Sequence, residues 1–396
     1  MKTICHMTLL LLVGMVALAD ETDRRAFFES DDRAQKFQSV ETIFPVRKVR
    51  SGREVWKLPK SPKASGFAVR YEFADAEFGI DEFNERTKSN ALLILKDGEI
   101  VYEKYLNGSR PSTRFMSFST AKSFTSTMVG IALEQRRMGS VDEALVRYLP
   151  ALIGSAYDGV TIRDALQMVS GVEWDELVYD WADETKPLVF LWRRSLVEQR
   201  YRFVEGANSL RRAHSPGQQY NYNTMETSLL GWAVENAANQ RYAAYFEEQL
   251  WQPAGMEFDA AWILDGPEDL GREMAGGGLL ASLRDYGRFG QMMADGGRAN
   301  GRQIVSADWV KSATTPDRDA IQYGKLYDGY PLGYGYQWWL VDNGRFEAVG
   351  VYGQFIFVAP EENVVIVKLS YWPEAWVDDM EYESYAFFDA VIDALR

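Results

Sequence analysis

Apolar positions along this chain follow two periods, and the points where the period changes divide it into segments. Ala91-Leu92-Leu93-Ile94-Leu95 is an unbroken apolar run of strand length. Asp97-Gly98 is a tight-turn dipeptide, and Ile100-Val101-Tyr102 begins a return strand. Together they predict a hairpin with a buried first strand. From Ser119 the period becomes helical, with Met128, Ile131, Ala132 and Gln135 at helical spacing and a stop near Gly139. Thr161 predicts an N-cap for a helix over 162–168, and 227–239 and 284–294 read as further helices. Strand character returns at 334–341, 346–358 and 364–370, where aromatic and β-branched residues are dense. Gly344 and Pro360-Glu361-Glu362-Asn363 separate these runs, and 384–395 reads as a closing helix.

This order of strands, helices and strands predicts an α/β (α+β) fold. Segments from both ends complete one antiparallel sheet flanked by helices, and a mostly helical lobe is inserted between them. The boundaries follow the period changes: residues 66–118 and 295–396 for the sheet part, 119–294 for the helical part, with a cleft between them as the natural place for a site. Residues 20–65 are polar and mixed in charge, with Lys57, Pro59, Lys60, Pro62 and Lys63 close together, and predict an extended, loosely packed arm. Residues 1–19 read as a signal peptide: Lys2, an apolar run from Leu9 to Val16, and Ala17-Leu18-Ala19 as the cleavage site. The apolar run is short for a membrane span. The expectation is cleavage after Ala19 and a secreted or periplasmic product with no membrane span; a retained anchor is the alternative.

Composition narrows the chemistry. The formal net charge of −14 argues against a nucleic-acid partner, because phosphate binding needs a basic surface. The one cysteine, Cys5, lies in the signal segment, so disulfides, Cys nucleophiles and Cys–zinc sites are not expected in the product. His214 would be the only remaining histidine, which leaves no multi-His metal site; its place two residues before Pro216 suits a structural or exposed role. Neither a metal nor an organic cofactor is expected. There is no G-x-S-x-G motif, so a nucleophilic enzyme built on this chain draws its base mainly from Lys, Tyr, Asp or Glu.

One motif meets that requirement. In Ser119-Thr120-Ala121-Lys122 the serine and lysine are one helical turn apart, hence on one face. A serine hydroxyl is a weak nucleophile until a neighbour takes its proton. A desolvated lysine amine suits that task, since burial lowers its pKa. A second motif, Pro216-Gly217-Gln218-Gln219-Tyr220-Asn221-Tyr222-Asn223-Thr224, leads into Leu229-Leu230-Gly231. In this spacing the chain resembles the serine β-lactamase-related family, which includes class C β-lactamases, DD-peptidases, carboxylesterases and 6-aminohexanoate-dimer hydrolases. The resemblance covers roughly residues 70–395. It implies a β-lactamase/transpeptidase-like fold and makes Tyr222 the motif tyrosine, a third catalytic group beside Ser119 and Lys122.

Two family positions depart from the pattern. Thr224 stands where the family has the asparagine of Tyr-x-Asn. Ala348-Val349-Gly350 stands where it has Lys/His-Thr-Gly. The run Gly350-Val351-Tyr352-Gly353-Gln354 instead resembles the 6-aminohexanoate-dimer-hydrolase branch. That resemblance implies backbone N–H groups of Ser119 and Val351 as an oxyanion hole, with Gly350, Gln354, Thr224 and, after the Ser170-Gly171 loop, Tyr179 on the substrate side. The departures favour a small-molecule amide or ester over efficient β-lactam hydrolysis. They also motivate an alternative, a secreted binding protein on the same fold with weak turnover. The 12 Trp and 21 Tyr suggest only faintly a carbohydrate-binding surface, since aromatic residues are far more often core.

Overall fold

The computed structural model describes residues 19–29, 32–176, 181, 183–267 and 269–396. The predicted signal segment and Tyr179 therefore lie outside the described residues, Ala19 excepted.

The first hairpin forms as its sequence predicts: β1 (Ser89–Lys96) turns through Asp97 and Gly98, both at positive φ, into β2 (Glu99–Tyr105). The C-terminal run supplies β3 (Gly333–Tyr334), β4 (Trp339–Leu340), β5 (Phe346–Gly350), β6 (Gln354–Ala359) and β7 (Val364–Ser370). These join in one seven-stranded antiparallel sheet of order β3-β4-β5-β6-β7-β1-β2. The N- and C-terminal segments meet where Ile366 of β7 pairs with Ile94 of β1. Alternation along β6 explains why both faces are apolar. Phe355 and Phe357 pack on Phe388 of the closing helix. On the other face Ile356 and Val358 meet the helix carrying Gly290, which lies so close that an added Cβ would sit 2.9 Å from Ile356 Cγ2.

Among the helices, those that bear on the sequence expectations are α1 (Ala121–Glu134), α2 (Ile162–Leu166), α3 (Thr224–Ala238), α4 (Leu283–Ala294) and α5 (Asp378–Leu395). Thr161 caps α2 as predicted, in a reciprocal capping box with Asp164. Helix α1 stops at Glu134, short of Gly139, and α3 starts at Thr224, three residues before its predicted start, because Asn223 accepts from Met225 N as its N-cap. Among the described residues no helix is long and apolar enough to cross a membrane.

Three expectations need correction. Residues 346–358 are not one strand: a turn at 351–353 splits them, with Tyr352 at φ 63° and Gly353 at φ 80°. Residues 334–341 are likewise the ends of a short hairpin. The arm at 20–65 is also not loose. Phe27, Phe37, Val40, Phe44 and Val49 are buried, and Val46–Val49 pairs with Ala260–Ile263. That pair belongs to a second, four-stranded sheet that continues through Leu279–Ala281 to Phe115–Met116. Its last strand delivers the chain to Ser119, so the second sheet and the arm both help set where the nucleophile sits.

Candidate active site

Phe115–Met116 ends in a tight 3₁₀ turn, Phe118–Thr120, that leads directly into α1. Phe118 is held at φ 44°, a left-handed conformation that costs a bulky residue about 1–3 kcal/mol and persists only where its surroundings dictate it. Those surroundings are visible. Phe37 of the arm packs on Phe118 with ring centroids 4.9 Å apart, and on Tyr352 at 5.2 Å. Met116 N donates to Phe37 O and Ser117 N to Leu279 O. Gly350, at the end of β5, leaves so little space that a Cβ there would lie 2.7 Å from Ser117 O and 3.0 Å from Ser119 N. The backbone nitrogen of Ser119 thus lies beside the start of the turn that carries Val351.

One turn into α1, Lys122 is buried, and its Nζ lies 3.0 Å from Ser119 Oγ. The same nitrogen donates to Thr224 Oγ1 at 2.8 Å and to Gly276 O at 2.7 Å. Gly276 packs against Thr224, where a Cβ would come within 2.9 Å of Thr224 Cγ2, so the glycine turn after residue 275 brings its carbonyl to the lysine. Burial pulls the Lys122 pKa down to about 8, against an opposing pull from the nearby Glu176 charge.

Tyr222 lies beside the same amine, its ring centroid 5.0 Å from Lys122 Nζ. Its ring stacks on Trp339 at 5.5 Å, and its backbone N–H donates to Tyr327 Oη. Burial, reinforced by the Glu176 charge, pushes its phenol well above the usual tyrosine value, while a hydrogen bond with Ser119 works the other way. The structure therefore brings Ser119, Lys122, Tyr222 and Thr224 together. Trp338, just before β4, and Trp339, its first residue, pack in different directions. Trp338 packs in the core against Phe289 and Phe346, and Trp339 lies against Tyr222.

Two predicted substrate-side residues have structural work instead. Gln354 is buried, and its amide donates to Val351 O, Tyr352 O and Ser370 O while accepting from Ser370 N. All of these bonds are to backbone, so Gln354 braces the turn rather than facing a ligand. The missing side chain of Gly350 is needed for packing against the nucleophile loop. His214 is exposed and meets the Ser170-Gly171 loop through its backbone, where His214 N donates to Gly171 O.

Sequence reasoning missed Glu176. It is buried two residues beyond Trp174 and takes part in the site through Thr224. Its Oε1 accepts from Thr224 Oγ1 at 2.5 Å, and its Oε2 accepts from Thr224 N and from Trp174 Nε1, each at 2.7 Å. The only sequence signal was its place just after the Ser170–Trp174 loop.

A beta-lactamase family model matches residues 79–384, which span Ser119, Lys122, Glu176, Tyr222 and Thr224. The chain belongs to the beta-lactamase family. A 6-aminohexanoate-dimer hydrolase from Paenarthrobacter ureafaciens is 32% identical over 364 residues, covering 90% of each chain. A solved structure provisionally described as a 6-aminohexanoate-dimer hydrolase from Bacillus anthracis superposes with a TM-score of 0.81 at 22% identity, over 93% of this chain and 96% of that one. A family VIII carboxylesterase structure matches with a TM-score of 0.59 at 16% identity, over 84% and 99% of the two chains. This beta-lactamase-family protein is a serine hydrolase.

Proposed function

We propose that this hydrolase cleaves a small amide or ester through an acyl-serine at Ser119, with Lys122 as base and Tyr222 as proton donor to the leaving group. The observation that carries this reading is a serine hydroxyl 3.0 Å from a buried amine whose pKa is pulled to about 8. In the proposed sequence the Lys122 amine takes the Ser119 proton as Oγ bonds to the substrate carbonyl carbon. The N–H groups of Ser119 and Val351 receive the resulting oxyanion. Tyr222, neutral at rest, gives its proton to the departing nitrogen or oxygen as the carbonyl bond breaks. Lys122 then returns its extra proton to the Tyr222 phenolate, so both groups recover their starting form. Water repeats the cycle on the acyl-enzyme.

The substrate class rests on two supports. The relative at 32% identity is named for hydrolysis of an aminohexanoate dimer, a linear amide. In addition, Thr224 and Ala348 stand where the related β-lactamases have an asparagine and a basic residue. Both favour a linear amide or a simple ester over a β-lactam.

Fluorophosphonate labelling of the purified protein, read by intact mass, tests the nucleophile. A single adduct that disappears in Ser119→Ala and forms far more slowly in Lys122→Ala is expected. Its absence from folded wild-type protein would return the chain to a binding role. A panel of linear amides, short esters and penicillins then tests the class, and efficient penicillin hydrolysis with little turnover of the others would overturn it.

A further inference from the structure

The three groups around Lys122 Nζ constrain where its protons lie. Gly276 O is a carbonyl and only accepts, so one N–H points there. Thr224 Oγ1 is a hydroxyl and could in principle donate or accept. Its single proton, however, is committed to Glu176 Oε1, because that carboxylate accepts from donors on every side: Thr224 Oγ1, Thr224 N and Trp174 Nε1. Thr224 Oγ1 therefore accepts from Lys122, which fixes a second N–H. The ammonium carbon occupies one tetrahedral direction of the nitrogen, and these two hydrogen bonds occupy two more. The direction left over points at Ser119 Oγ. In the neutral amine it holds the lone pair, and in the ammonium it holds the proton taken from the serine.

We propose that Glu176, acting through the Thr224 hydroxyl, is the positioning residue that aims the Lys122 lone pair at Ser119 and sustains the ammonium once the proton has moved. The proposal rests on the assignment of Lys122 as base. It also explains what replaces the motif asparagine in this chain: a threonine whose hydroxyl is held between Lys122 and a buried carboxylate. The titratable groups around the Lys122 amine are Glu176, Tyr222 and Ser119. Of these only Glu176 carries charge at rest, and its charge favours the protonated lysine. The proton inventory is conserved throughout. Thr224 keeps its hydrogen, Glu176 stays a carboxylate, and only the Ser119 proton changes place.

Fluorophosphonate suits the test, because fluoride leaves without a proton and the labelling rate reads the base step apart from Tyr222. Rates are measured from about pH 6 to about pH 10 on the full chain for the wild type, Glu176→Gln, Thr224→Ser and Thr224→Val. With the opposing charge removed, the Lys122 pKa falls, so the midpoint of the rate profile in Glu176→Gln should move to lower pH by about one unit. Thr224→Val, which keeps the shape but loses the hydroxyl, should label at least about tenfold more slowly at every pH. Thr224→Ser, which keeps the hydroxyl, should rescue most of the rate lost in Thr224→Val. A role confined to folding would lower the fraction labelled without moving the midpoint. If wild type labels at Ser119 while Glu176→Gln keeps its midpoint and Thr224→Val its rate, the relay is refuted and the Ser119–Lys122 assignment stands. If Glu176→Gln does not fold, the Thr224 pair still decides between these outcomes. If wild type itself does not label, the underlying assignment fails first.

Discussion

Adding one methyl group at Gly350 should separate the two backbone segments that frame the nucleophile. The Cβ of Gly350→Ala would lie 2.7 Å from Ser117 O, 3.0 Å from Ser119 N and 3.1 Å from Phe118 Cβ, whereas ordinary contacts begin near 3.4 Å. The neighbours are backbone and a side-chain root, so no flexible tip can swing aside. Relief requires β5 and the 117–119 loop to part by roughly 0.7 Å. Gly350 has no left-handed φ, so alanine suits its backbone and the cost is wholly steric. Overpacking of this kind costs about 1–3 kcal/mol. A misplacement approaching ~1 Å at a reacting centre costs on the order of a hundredfold in rate, so labelling should slow by about ten- to a hundredfold. Denaturant midpoints and fluorophosphonate rates measure the two effects together. Gly344→Ala is the control: its φ of 72° makes alanine unfavourable by about 1–2 kcal/mol, but the space around it is open and it lies in the β4–β5 turn. It should lose stability and keep its labelling rate. If Gly350→Ala labels at the wild-type rate, Ser119 is not held by contact with β5.

Two further predictions follow from burial. The wild-type labelling rate should rise through about pH 8 as Lys122 loses its proton, and Lys122→Met should abolish that rise. The same group affects stability with a definite sign. Its pKa is lower folded than unfolded, so between about pH 8 and the ordinary value of 10.5 the unfolded chain binds more protons. The denaturant midpoint of wild type relative to Lys122→Met should therefore climb across that window and be lowest below it. Finally, Phe37→Ala removes a buried ring from the triangle it forms with Phe118 and Tyr352. It should cost about 3–5 kcal/mol and also slow labelling, because the left-handed Phe118 loses its support. A stability loss with an unchanged labelling rate would show that the arm is a core element only.

What the sequence disclosed follows the range of the interactions involved. The β1–β2 hairpin, the α2 capping box and the Ser119–Lys122 pair are local, and each was legible from a few adjacent residues. The turn at 351–353 was not, because Val351 and Tyr352 favour strand by propensity. What bends the chain there is distant: Gly353 packs on Trp372, at 2.3 Å from an added Cβ, and Gln354 ties the turn to Ser370. The second sheet escaped notice because its strands have two to four residues and pair across long stretches of chain, Val46–Val49 with Ala260–Ile263. The prolines and lysines at 57–63 gave the arm a solvent-exposed character that its phenylalanines contradict. Glu176 was hidden for a related reason. A carboxylate is almost never buried unless paired, and its partners, Thr224 and Trp174, come together only in the folded chain.

The acid–base roles follow from one physical cause acting on two different groups. Burial disfavours whichever form carries charge. For an amine that means a lower pKa, and for a phenol a higher one, as Lys122 and Tyr222 respectively display. Above about pH 8 a single buried pocket thus leaves both neutral side by side: an amine ready to accept a proton and a phenol ready to give one. A neighbouring ammonium by itself would favour the opposite for Tyr222, a phenolate, but burial and the Glu176 charge outweigh it. With the carboxylate present, its charge opposes ionisation of the phenol and favours protonation of the lysine, so it biases both groups toward the states they need after Ser119 has attacked. A pocket holding only Lys122 and Tyr222 would supply the neutral pair at rest. Adding Glu176 behind Thr224 supplies the countercharge that the transferred proton requires.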